Sequence, residues 1–176
     1  MPNGWRTVFN GLNIGRAALL GLSQGGWNAI RFAALYPDKV SRLVLLSPAG
    51  VTSDRASFLL RAMLYSVLGK KGAAALNRYV FGSDNIDPTA LIFMNAIMAH
   101  FRPRIEPLKK FTDADLQHLT MPVLLLGGAH DNIRDVSKIS IRMRKILPHL
   151  TTYIFPDRGH VLVNTSQHII PFLLST

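Results

Sequence analysis

Three residues of this chain have the types and settings that nucleophilic catalysis requires. Ser23 lies in Gly21-Leu22-Ser23-Gln24-Gly25, Asp131 closes Gly128-Ala129-His130-Asp131, and His160 follows Gly159. A serine hydroxyl attacks a carbonyl efficiently only when a base removes its proton, and imidazole does this near neutral pH. A carboxylate on the other ring nitrogen fixes the tautomer and stabilises the imidazolium that forms. Competing partners are open on spacing alone: Asp135 or Asp54 for the carboxylate, and His130 for the base. His100, His118, His149 and His168 read as surface or packing residues.

The G-x-S-x-G pattern has mechanical meaning only between a strand and a helix. There the serine sits on a strained turn that lifts its Oγ clear of the sheet. Gly21 and Gly25 are expected to remove side chains that would clash, and Gly26 to let the helix approach closely. The Gln24 backbone N–H, at the helix N-terminus, is the expected oxyanion donor.

The elements that must position these residues are legible as short apolar runs: Ala17–Leu22, Leu43–Leu46, Val123–Leu126 and Thr152–Phe155. Each is followed by Ser, Gly or Pro, as a buried parallel strand is. Helical spacing lies between them, in Trp27–Tyr36 before Pro37 and in Val136–Leu147 before Pro148. This alternation implies βαβ units in an open parallel sheet, with Asp131 and His160 just beyond strand ends.

Between Val51 and Thr120 the pattern changes to apolar helical stretches, Ser57–Leu68 and Thr89–Phe101, with turns expected at Gly69–Gly72 and Phe81–Pro88. Met63, Met94, Met98, Phe58, Phe93 and Phe101 there read as helix packing, with a substrate pocket as the alternative.

Composition narrows the function classes. The 176 residues are 48% hydrophobic and 17% charged, which excludes a disordered chain. No apolar run approaches about 18 residues, so no membrane span is expected, and a cytoplasmic location is the reading. With no cysteine, thiol catalysis and Cys-ligated metals are excluded. No histidine or carboxylate spacing calls for a metal or cofactor. The net charge of +10 comes from scattered cations. Arg134, Lys138, Arg142, Arg144 and Lys145 are placed on the outer face of a helix whose inner face is Val136, Ile139, Met143 and Ile146. No nucleic-acid partner is expected, because aromatic interleaving is absent from the basic stretches.

Ala17–Gly50, Met121–Asp131 and Thr152–His160 together resemble strands 5 to 8, the nucleophile elbow and the catalytic loops of the α/β-hydrolase fold family, in its capped carboxylesterase form. The chain order serine, acid, histidine is the one expected there. The resemblance implies Ser23 as nucleophile, His160 as general base and Asp131 as the residue orienting it. It further implies a partial hydrolase core over residues 1–51 and 112–176 and a helical cap over 52–111. The expected activity is hydrolysis of a small carboxylic ester through an acyl-enzyme. The family's four strands before the elbow have no counterpart, and Met1–Asn13 reads as the helix leading into strand 5, so the chain reads as N-terminally truncated. The loop that supplies the second oxyanion donor is then missing, a loss of about 10²–10³ in rate. The alternative is therefore a catalytically impaired remnant. Ala17–Leu22 becomes an exposed sheet edge prone to self-association, and Pro171 is expected to break the closing helix at Gln167–Leu174.

Overall fold

Each of the four apolar runs becomes a strand of one parallel sheet. The computed structural model describes residues 2–81, 89, 92, 93, 96, 97, 100 and 108–175. The strands β1 (Ala17–Leu22), β2 (Val40–Leu46), β3 (Val123–Gly128) and β4 (Leu150–Phe155) lie in the order β1-β2-β3-β4. Every neighbour is parallel, with Leu20 beside Val44, Leu45 beside Leu125 and Leu126 beside Tyr153. Helix α1 (Pro2–Gly11) precedes β1, α2 (Gln24–Leu35) joins β1 to β2, and α3 (Ala56–Ser66), α4 (Gly69–Phe81) and α5 (Asp113–Gln117) lie between β2 and β3. Helix α6 (Val136–Ile146) joins β3 to β4, and α7 (Ser166–Leu174) follows β4.

Alternation along the strands divides the core into two layers. Leu43, Leu45, Val123 and Leu125 pack with Ile30, Phe32 and Ala33 of α2 and Ile139 and Met143 of α6. On the opposite face Val44, Leu46, Leu124 and Leu126 pack with Phe155, Leu162 and Ile169 of α7. Leu20 and Leu22 share that second face through their pairing with Val44 and Leu46. They are 51% and 38% exposed, because α7 does not reach across to β1.

Two expectations are corrected. The turn expected at Gly69–Gly72 is the first turn of α4. Gly69 takes φ +55 there, and a Cβ on Gly72 would lie 1.9 Å from the Tyr65 carbonyl oxygen, so these glycines allow α4 to start directly after α3 and pass against it. Phe81 closes α4, and residues 82–88 of the second expected turn lie outside the described residues. Pro171 does not break α7, which runs through it. The carbonyl that loses its i+4 donor belongs to exposed Gln167, within reach of solvent, while buried Ile169 with Phe172 and Leu173 holds the helix to the sheet. Helices α3 and α4 are present, and the described residues between Thr89 and His100 are helical. Met63 and Phe93 are largely exposed there, and Met94, Met98 and Phe101 lie outside the described residues.

Candidate active site

The turn from β1 to α2 is held in a conformation that few residues adopt. Ser23 has φ 52 and ψ −114. Its N–H donates to the Leu46 carbonyl at 2.9 Å, and its carbonyl accepts from Ala49 N–H at 3.0 Å and Trp27 N–H at 3.1 Å. These bonds to β2 and α2 over-determine a strained backbone. A Cβ on Gly21 would lie 2.5 Å from the Gly25 carbonyl, and one on Gly26 would lie 2.9 Å from Pro48 Cβ. Gly25 is different: a Cβ there meets open space, so its absence relieves no clash. Gln24 is the first residue of α2 and is exposed, so its N–H has no acceptor within the helix.

Asp131 stands just beyond β3 and is 1% exposed. Its Oδ1 accepts from the backbone N–H groups of Ile133 (2.8 Å) and Arg134 (2.9 Å), and its Oδ2 lies 2.8 Å from His160 Nδ1. Burial alone pushes this carboxyl up. The hydrogen bond and charge of His160 and the two backbone N–H groups outweigh it, and the group is held below the usual aspartate value. With Nδ1 engaged as donor, His160 presents its Nε2 lone pair on the side of Ser23 and Arg134. Gly128 lets the loops carrying Asp131 and His160 meet, since a Cβ would lie 2.1 Å from the Arg158 carbonyl oxygen.

None of the competing residues bonds to Ser23 or His160. Asp135 caps α6, accepting from Lys138 N–H at 3.1 Å, and His130 is exposed. Asp54 Oδ1 lies 2.8 Å from Arg134 Nε. The placing of Arg134 on the outer helix face is corrected: α6 begins only at Val136, and Arg134 lies 6% exposed in the loop before it. Its Nη1 donates to Ser23 Oγ at 3.0 Å and to the Ser47 carbonyl at 3.3 Å, and lies 3.4 Å from His160 Nε2. Serine and histidine thus both face one guanidinium nitrogen. Arg142 is also inward, half-buried and bonded to Asp113 and to the Phe111 carbonyl, whereas Lys138, Arg144 and Lys145 are exposed as expected. The sequence signal for Arg134 was its position before the Asp135 cap, outside the helix proper.

Helix α4 reaches the same loops. The Val80 carbonyl accepts from His160 N–H at 3.3 Å, and the Tyr79 carbonyl from Asn132 Nδ2 at 2.8 Å. A cavity of about 350 Å³ opens elsewhere, between Trp27, Arg31, Lys109, Phe111 and His118, and none of Ser23, Asp131 or His160 lines it. Among the described residues no group of three or more His, Asp or Glu side chains gathers as a metal would require, and no helix is long and apolar enough to cross a membrane.

Comparison with known proteins agrees with this architecture. The family described as serine aminopeptidase, S33 (Hydrolase_4) matches residues 8–167. Carboxylesterase YbfK of Bacillus subtilis is 27% identical over 96% of this chain and 61% of its own length. An uncharacterized carboxylesterase, nap, of the same organism is 28% identical over 88% of this chain and 54% of its own. Among solved structures, a putative hydrolase from B. subtilis superposes with TM-score 0.80 at 25% identity, covering 97% of this chain and 62% of that one. Naproxen esterase from B. subtilis superposes with TM-score 0.78 at 24% identity, covering 97% and 61%. The chain spans between 54% and 62% of the length of these relatives.

Proposed function

Since this chain belongs to the serine aminopeptidase S33 family of α/β-fold hydrolases, we propose that it is a serine hydrolase acting on a small carboxylic ester through an acyl-enzyme on Ser23. His160 takes the Ser23 proton as Oγ attacks the carbonyl, then returns it to the leaving alcohol. Asp131 orients His160, and the Gln24 N–H stabilises the oxyanion. Water repeats the cycle on the acyl-enzyme. The observation that carries this reading is the buried His160–Asp131 bond of 2.8 Å beside a serine at a strained elbow. The names of the carboxylesterase relatives favour an ester over a peptide. The α3–α4 segment, bonded to the His160 loop through Val80, acts as the cap over the site.

A second reading, a chain impaired in turnover, draws on the bond from Arg134 to Ser23 Oγ, because no hydrogen bond joins Ser23 Oγ to His160 Nε2. Fluorophosphonate labelling read by intact mass separates the two. One adduct on the parent chain and none on Ser23→Ala is expected. A folded parent chain that takes no adduct overturns the enzyme reading in favour of the second.

A further inference from the structure

Arg134 is buried beside Ser23 with its charge paired to Asp54 through Nε, which leaves Nη1 turned toward the serine and the histidine. Arg134 Nη1 stands 3.0 Å from Ser23 Oγ and 3.4 Å from His160 Nε2, so one NH₂ group occupies the place between nucleophile and base. Its hydrogen-bonding capacity is only partly met. Arg134 Nε is buried with no well-directed acceptor, since Asp54 Oδ1 is close, at 2.8 Å, but off the N–H axis. Two further buried polar atoms without a partner, Ser47 Oγ and Thr52 Oγ1, lie on the loop after β2, whose Ser47 carbonyl and Asp54 both meet Arg134. Polar groups with hydrogen-bonding capacity to spare thus stand on the two loops that meet at Arg134, beside Ser23.

We propose that Arg134 is a specificity-determining residue that selects esters carrying a carboxylate close to the scissile carbonyl, such as the monoesters of short dicarboxylic acids. This deepens the ester hydrolase reading and rests on it. Charge-assisted N–H···O bonds are about 2.8 Å long, and a carbon–carbon bond spans about 1.5 Å. A carboxylate two or three bonds from an acyl carbon on Ser23 therefore reaches Nη1. On binding, it takes the Nη1 N–H now donated to Ser23 Oγ, while the second stays on the Ser47 carbonyl, and leaves Ser23 Oγ and His160 Nε2 free to bond each other. A neutral ester offers no such exchange, and the guanidinium stays between them.

The test is calorimetric binding of monomethyl succinate and dimethyl succinate to the full chain in the Ser23→Ala background, where neither ester turns over. Monomethyl succinate is expected to bind at least about 10-fold more tightly, with a preference that falls as salt rises. Adding Arg134→Met is expected to abolish the preference, and Arg134→Lys to retain part of it. Equal affinities for the two esters, binding of neither, or an undiminished preference in Arg134→Met overturns the proposal. Should Arg134→Met fail to fold by circular dichroism, the two-ester comparison on the parent background and on Arg134→Lys still decides. Failure of the hydrolase reading is seen separately, as absence of the fluorophosphonate adduct on the chain with Ser23 intact.

Discussion

The sheet and the helical segment that interrupts it are written in equally apolar residues, and these end in opposite surroundings. Leu43, Val44, Leu45, Leu125 and Leu126 are fully buried, while Leu59, Leu60, Met63, Leu64, Val67 and Leu68 of the α3 region are each more than half exposed. A parallel strand finds its partner by the backbone ladder, and helices then cover both faces. Among the described residues helix α3 packs chiefly on α4, and such a pair has too little surface to hide an apolar stripe on each member. Apolar content states that burial is favourable; only the ladder states where.

The contrast can be sharpened by substitutions, beginning with the largest effect. Ser23→Ala is expected to lower ester turnover by on the order of 10⁴-fold or more with little change in stability, as measured by kcat and the unfolding midpoint. A stability loss as large as that of a core variant would mean that the elbow, not the chemistry, had been damaged. Leu125→Ala is expected to cost about 2–5 kcal/mol in chemical denaturation, against less than about 0.5 kcal/mol for Leu60→Ala on α3. Equal losses would erase the distinction between the two regions. Within the elbow, Gly21→Ala is expected to cost about 1–3 kcal/mol, because its Cβ would meet the Gly25 backbone, while Gly25→Ala faces open space and is tolerated.

Smaller effects test the rim of the comparison. Because the Asp131 carboxyl is held below its unfolded value, the stability it contributes is complete above the ordinary aspartate pKa. It is lost as pH falls through the depressed one. The stability gap between the parent chain and Asp131→Asn should therefore shrink on acidification, measured by urea unfolding at a series of pH values. A gap that widens in acid would reverse the assigned sign. Finally, the uncovered face of β1 is expected to drive weak self-association, relieved by Leu20→Lys with Leu22→Lys in sedimentation velocity. Identical sedimentation of the two chains would locate any association elsewhere.

Much of the site was legible because strand ends carry it. The runs Ala17–Leu22 and Val123–Leu126 announce strands by composition, and the residues that follow them, Ser23 and Asp131, fall at the carboxyl edge by necessity. Arg134 was not legible in the same way. Its spacing to Lys138 and Arg142 mimics a solvated helical stripe, and only the capping of α6 by Asp135 shows that the helix has not yet begun. Gly69 and Gly72 misled for a related reason: glycine signals a turn, but here its missing side chain serves the crossing of two helices. In each case the residue type carried the wrong signal, and the neighbour it packs against or precedes decided its place.

The bonds from His160 N–H to Val80 and from Asn132 to Tyr79 have one more consequence. The loops that carry the histidine and the aspartate act as a C-terminal cap for α4, supplying donors to carbonyls that a helix end leaves bare. Lifting the end of α4 therefore uncovers the His160 amide, and loosening the His160 loop uncaps α4. By reciprocity, whatever free energy holds one closed holds the other by the same amount. In hydrogen exchange, the His160 amide and the end of α4 are expected to open as a single cooperative unit.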